Sequence, residues 1–171
     1  MALVVEDGTG LSNATSYVSL TTARNYATAR GVTLSAVDAT LEVSVIKSMD
    51  YLESYRDRFK GVKTSETQSL QWPRSGVVID NYGIDSDELP QILKDCLCQL
   101  IIENATNSDL SPTVTDTRIT TSEKVDVIEV TYSDSRQSGA TGQLVMPKVN
   151  NLLNPLLRSG SGLGGIRVER A

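Results

Sequence analysis

A mainly α fold is what this 171-residue sequence predicts: a small four-helix bundle with a β-strand or hairpin inserted between helices 3 and 4, long loops and an extended C-terminal tail. Three observations carry that reading. Apolar side chains recur every three to four residues before Gly61, after Pro90 and after Pro147, the spacing of helical faces turned to a core. Capping and breaking residues bracket those windows. One stretch, residues 118–132, is instead rich in β-branched residues and alternates as a strand does.

The opening LVVEDGTGLSNATSYVSL is strand-like at residues 3–5, turns at 7–10 and is extended again at Tyr17 and Val18. Ser19 then stands as N-cap of a first helix over residues 20–30, which Gly31 closes. Ser35 opens a second helix with Asp38 three residues on, close to a capping box. Leu41, Val45, Met49 and Leu52 form its inward stripe, and it runs to about residue 54, with YRDRFKG extending it toward Gly61. Residues 62–86 show no helical period and read as a long loop holding the only tryptophan. Pro90 suits the first turn of a third helix, since its missing N–H would be unpaired there anyway. Asp85, Asp87 and Glu88 precede it, where carboxylates favour the helix dipole. Leu93, Leu97, Leu100, Ile101 and Asn104 trace its inner face, and Ile92, Cys96 and Ile102 broaden it. Residues 118–132 alternate in two registers, as two strand pieces or one bulged strand, and SDSRQSGATG follows as a flexible loop. Val149, Leu152, Leu153, Leu156 and Leu157 mark the last helix after Pro147. The expected organisation is a helical domain over residues 1–157 and a tail over 158–171.

Composition narrows the chemistry. At 39% hydrophobic the chain has enough apolar mass for one core, and no apolar run approaches the roughly 20 residues of a membrane span. The N-terminus lacks a basic region and meets acid at Glu6 and Asp7, so it does not read as a signal peptide, and synthesis in the cytoplasm is expected. Histidine is absent, which removes Ser/His/Asp and Cys/His catalysis and every histidine-bearing metal site. Cys96 and Cys98, two apart on a helix, point about 200° apart, so they read as small buried hydrophobes and not as a metal pair or a disulfide. Gly160, Gly162 and Gly165 match G-x-G-x-x-G formally, but a helix precedes them and too little chain follows. Asp80, Asp85, Asp87 and Glu88 lack the spacing of a calcium loop. No catalytic residue, cofactor or metal is expected, and the chain does not read as an enzyme.

The net charge of −5 is uneven: residues 80–135 carry 12 acidic and 3 basic groups, whereas residues 136–171 carry 5 basic and 1 acidic. An acidic middle disfavours nucleic acid there. Arg56, Arg58, Lys60, Lys63 and Arg74, interleaved with Tyr55, Phe59 and Trp72, nevertheless form a basic-aromatic stretch of the kind that holds single-stranded nucleic acid. The competing reading, which the acidic neighbours Glu53, Asp57 and Glu66 favour, packs the aromatics on the helices and leaves the charges in water. Pro73 disfavours helix at Trp72, so the chain runs extended there, and the indole folds back and anchors the loop, its N–H bonded to a carbonyl, with Arg74 facing outward.

The opening LVVEDGTGLSNATSYVSL, the stretch IKSMDYLESYRDRFKGVKTSETQSLQWPRSGV with its Gln-x-Leu-x-Trp-Pro-Arg block, LPQILKDCLCQLIIENA and NNLLNPLLRSG together resemble the head-tail connector (adaptor, head completion) proteins of tailed bacteriophages. The resemblance implies a structural virion protein of the neck, present in the host cytoplasm during assembly. It would form a ring, usually twelvefold, under the portal protein, extend the channel for passing double-stranded DNA without sequence-specific binding, and meet a downstream neck or tail-completion protein. On that reading Trp72 and Pro73 anchor the loop, and Arg58, Lys60, Lys63 and Arg74 face subunits or channel. Arg158, Ile166, Arg167, Val168 and Arg170 then dock the tail on the portal. No membrane contact is implied. Some members of the resembled family are compared with a primosomal single-strand-binding domain, and a DnaT-like single-stranded DNA-binding module is the alternative function.

Overall fold

The computed structural model describes residues 3–107, 110, 122–125, 128–131 and 146–158. The chain divides into two compact units, Met1–Leu110 with Met146–Ala171, and Ser111–Val145. Within the described part of the first unit the elements run α1 (Leu20–Thr28), α2 (Asp38–Glu53), a 3-10 turn (Arg56–Arg58), β1 (Val62–Lys63), β2 (Arg74–Ser75), β3 (Val77–Ile79), β4 (Tyr82–Ile84), α3 (Gln91–Asn107), α4 (Pro147–Leu153) and a closing 3-10 turn (Asn154–Leu156). The second unit contributes an antiparallel hairpin of β5 (Ser122–Val125) and β6 (Ile128–Thr131), with Ser122 opposite Thr131 and Val125 opposite Ile128. The alternation in residues 118–132 therefore resolves into two strands.

Ser19 caps α1 through its hydroxyl, which accepts the Thr22 N–H at 3.1 Å. The expected cap of α2 is displaced: Ser35 accepts the Val37 N–H in a short turn, and the helix begins at Asp38 with no side-chain cap. The helix also stops at Glu53 and gives way to the 3-10 turn, short of Gly61.

α3 is the hub. It packs against α1, α2 and α4, and Leu93, Cys96, Leu97, Leu100 and Ile101 are fully buried. Being covered on several sides, it buries residues around its whole circumference, which is why Cys96 and Cys98 are both interior although they diverge on the helix. Burial pushes both thiols up to about 12, so neither is a thiolate at neutral pH.

The four-helix bundle expected from the sequence is not what forms; the fold is mixed α/β. Periodicity locates four helices, yet α1 has 9 residues and α4 only 7, and both lie on α3 as short flanks. The chain between α2 and α3 is not a structureless loop. It folds into two antiparallel ribbons, β1 with β2 and β3 with β4. Asp80 and Asn81, at φ of 52° and 68°, turn the second ribbon in the left-handed conformation that two-residue hairpins favour. Gly61 leads into the first: at φ +67° a side chain is strained, and a Cβ there would stand 2.3 Å from the Ser75 carbonyl oxygen.

The N-terminal segment is held by a buried acid. Glu6 Oε1 accepts the N–H groups of Gly8 and Gly10, and Oε2 accepts that of Leu11, at 2.9–3.0 Å. Gly8 then passes so close to the chain before α3 that a Cβ would meet the Asp87 carbonyl at 1.9 Å.

Candidate nucleic-acid interface

Apart from the exposed Ser69, the block Gln68–Arg74 is buried. Gln68 is buried and donates to the carbonyls of Leu70 and Pro73 while its own carbonyl accepts the Ser65 N–H. Leu70 is buried, and Trp72 is 0% exposed with its ring edge-on to Phe59 at 6.0 Å between centroids. The Trp72–Pro73 peptide is cis. The indole N–H finds no hydrogen-bond partner among the described residues, where the sequence predicts a carbonyl acceptor. The backbone carries the polar anchoring instead: the Trp72 N–H donates to the Tyr17 hydroxyl at 3.1 Å, and Tyr17 donates to Glu53, which also accepts the Gln71 N–H.

Burial raises the Glu53 carboxyl above its ordinary value of 4.5, against the lowering effect of the bonds from Tyr17 and Gln71. A carboxyl raised in the folded state contributes most below its unfolded pKa, and loses that contribution as pH climbs through the folded value. The melting temperature of Glu53→Gln is therefore expected to gain on that of the wild type as pH rises from about 4 to 7. A difference that stays flat across that window would show that burial is not what governs Glu53.

Arg74 does not face outward. It is 5% exposed, and its guanidinium donates to the carbonyls of Lys60 (2.7 Å), Gly61 (2.9 Å) and Gln71 (3.2 Å) and to the Gln71 side chain. The loop needs those donors because its short ribbons leave carbonyls without ladder partners. Lys63 is also turned to the scaffold, bonding the Gln68 carbonyl at 2.8 Å.

Of the remaining cations of this stretch, Arg58 and Lys60 lie on one outer edge, and Arg56 stands 3.9 Å from Asp57. Arg56 and Arg58 are exposed, and Arg58 lies over the half-buried Tyr55 ring at 5.2 Å. Lys60 reaches the Val78 carbonyl at 3.1 Å. The chain returns to this edge after α4: Leu157 bridges Phe59, the Arg158 N–H donates to the Arg58 carbonyl, and the Arg158 guanidinium reaches the Gly61 carbonyl. Lys60, Gly61, Asp80, Asn81 and Arg158 line a cleft of about 470 Å³ here. Beside Asn81, Tyr82 is 76% exposed, the most open large hydrophobic among the described residues. Sequence reasoning missed it, drawn to Trp72 and Phe59, which are both fully buried. An aromatic at the tip of a two-residue turn, marked by Asp-Asn, was the available signal.

Ile166, Arg167, Val168, Arg170 and the glycines at 160, 162 and 165 lie outside the described residues, as does the segment 133–142. Among the described residues no group of three or more His, Cys, Asp or Glu is placed to hold a metal, and no helix is long and apolar enough to cross a membrane.

The described residues of the first unit form a small mixed α/β fold with a basic edge, one solvent-open tyrosine and a packed interior. Over residues 1–171 the chain matches the family described as "Putative DnaT-like ssDNA binding protein", and it belongs to that family. Neither a curated protein nor a solved structure matches it. The whole-chain match overturns the connector resemblance, and with it the virion neck, the portal and the downstream neck partner. The reason is visible in the packing. Gln68, Leu70, Trp72 and Arg74, which carried the resemblance, are interior residues that hold a loop together, and interior residues do not identify a partner.

Proposed function

We propose that this chain binds single-stranded DNA, as a binding module and not an enzyme. The match of the entire chain to the DnaT-like family carries this reading. The basic edge supports it with a place: Arg56, Arg58, Lys60 and Arg158 follow the phosphates, and the exposed Tyr82 offers a face on which a base stacks. Arg56, Arg58, Lys60 and Arg158 outnumber Asp57 and Asp80 here, so the edge is cationic in a chain of net charge −5.

Fluorescence anisotropy with a labelled oligothymidylate tests it. The wild type is expected to bind, more weakly as salt rises, with a slope of log K on log salt of about −0.7 for each phosphate neutralised. Tyr82→Ala is expected to weaken binding by about 1–3 kcal/mol, the value of one base on an aromatic face, with the melting temperature held. Absence of binding at low salt would overturn the function. Undiminished binding by Tyr82→Ala would move the stacking surface elsewhere.

A further inference from the structure

We infer that the cleft between Lys60 and Arg158 is a phosphate-binding subsite, and that Asp80 on its rim limits its affinity. The identification of its natural ligand as backbone phosphate rests on the single-stranded DNA reading.

The carrying observation is a convergence of like charges. The guanidinium of Arg74 from below and that of Arg158 from the surface donate to one and the same acceptor, the Gly61 carbonyl, at 2.9 and 3.3 Å. Lys60 is the adjacent residue, and its ammonium is held toward the cleft by the Val78 carbonyl. No carboxylate forms an ion pair with any of the three among the described residues. A shared carbonyl is a dipole and neutralises neither charge; Glu53 acts on Arg74 from within, which leaves Arg158 and Lys60 at the surface for an oxyanion to neutralise. The proximity also registers on Arg74, which burial and the neighbouring charge of Arg158 hold below its usual value.

The chemistry points to phosphate. Guanidinium forks match its tetrahedral oxygens, and one ammonium adds a point charge. The cleft volume of about 470 Å³ lies within the range of small-ligand sites, roughly 300–1,000 Å³, and admits a phosphate with its sugar. Arg74 has a structural duty and sits beneath the floor, so the groups that touch the anion are Lys60 and Arg158, with Arg74 contributing field. Asp80 faces the same space and repels what the cations attract.

Two variants and two probes decide the matter. The double variant Lys60→Gln with Arg158→Gln removes two surface charges, together with their bonds to the Val78 and Gly61 carbonyls, and Asp80→Asn removes the opposing charge. With labelled oligothymidylate, the double variant is expected to bind at least about tenfold more weakly, with a salt slope shallower by about 1.4, two contacts at 0.7 each. Asp80→Asn is expected to bind more tightly. If the wild type binds and the double variant matches it in affinity and slope, the subsite is refuted while the DNA-binding function stands. If the wild type does not bind the oligonucleotide, that function falls, and inorganic phosphate decides the subsite alone. At matched ionic strength, phosphate should raise the melting temperature of the wild type and not that of the double variant. An equal response of the two proteins to phosphate would then refute the subsite.

Discussion

Trp72→Ala is expected to destabilise the fold by about 3–5 kcal/mol, the range for truncating a buried large aromatic. The ring is wholly enclosed, meets Phe59 edge-on, and lies where the segment from β1 to β2 crosses the helical core. Its removal leaves a cavity walled by Phe59, which is itself pinned by the bridge to Leu157, so the site cannot collapse without moving the segment that follows α4. In a chain of this size each 1 kcal/mol shifts the melting temperature by about 2–4 °C, so the midpoint should fall by at least about 6 °C. Trp72→Phe is the informative companion. It keeps an aromatic edge while deleting the indole N–H, which is buried without a partner among the described residues. Its cost should be clearly below that of alanine, because removing an unpaired donor recovers part of the lost packing. Denaturant midpoints measure both. A Trp72→Ala midpoint equal to that of the wild type would show that the loop holds without its tryptophan.

What the sequence makes legible here is what local rules control. Ser19 caps α1, Pro90 precedes α3, and Leu93, Leu97, Leu100 and Ile101 are interior, because capping and apolar spacing act over a few residues. The architecture is less legible. Its ribbons are two or three residues long, too short for alternation to reveal, and they are set by positive φ at Gly61, Asp80 and Asn81 and by side chains bonded to backbone. Arg74 illustrates the same difficulty. An arginine after Trp-Pro reads as a surface charge, and only the positions of three loop carbonyls reveal that it belongs inside. The surface site was legible in part. Arg58, Lys60 and Tyr55 stand in the basic-aromatic stretch, but Arg158 joins that edge only through pairings distant in sequence, and the local hairpin that carries Tyr82 is tied to it by the bond from Lys60 to the Val78 carbonyl. The block Gln68–Arg74 was conspicuous as a motif, yet conspicuous residues that turn out to be interior constrain the scaffold and leave the partner open.

Arg74→Ala is expected to cost about 3–5 kcal/mol, as much as losing the tryptophan. The guanidinium makes four hydrogen bonds, to the carbonyls of Lys60, Gly61 and Gln71 and to the Gln71 side chain. Bonds from a charged donor are worth about 1.5–3 kcal/mol each, and the sum is reduced because burying a cation without a carboxylate carries its own penalty. Alanine relieves that penalty but strands acceptors in a region too closed for water to reach freely. The loss should also spread along the chain. Lys60 and Gly61 lie on one side of β1 and Gln71 on the other side of the loop, so Arg74 is the cross-tie that holds the two ends of the segment together. Arg74→Lys separates charge from geometry. It keeps one positive charge, yet a single ammonium cannot span the three carbonyls that the planar fork reaches, so about half the loss should remain. Urea midpoints for the two variants, with hydrogen exchange at residues 59–75, give the test. A lysine variant as stable as the wild type would mean that the charge alone matters, and an alanine variant as stable as the wild type would mean that the loop carbonyls find other donors.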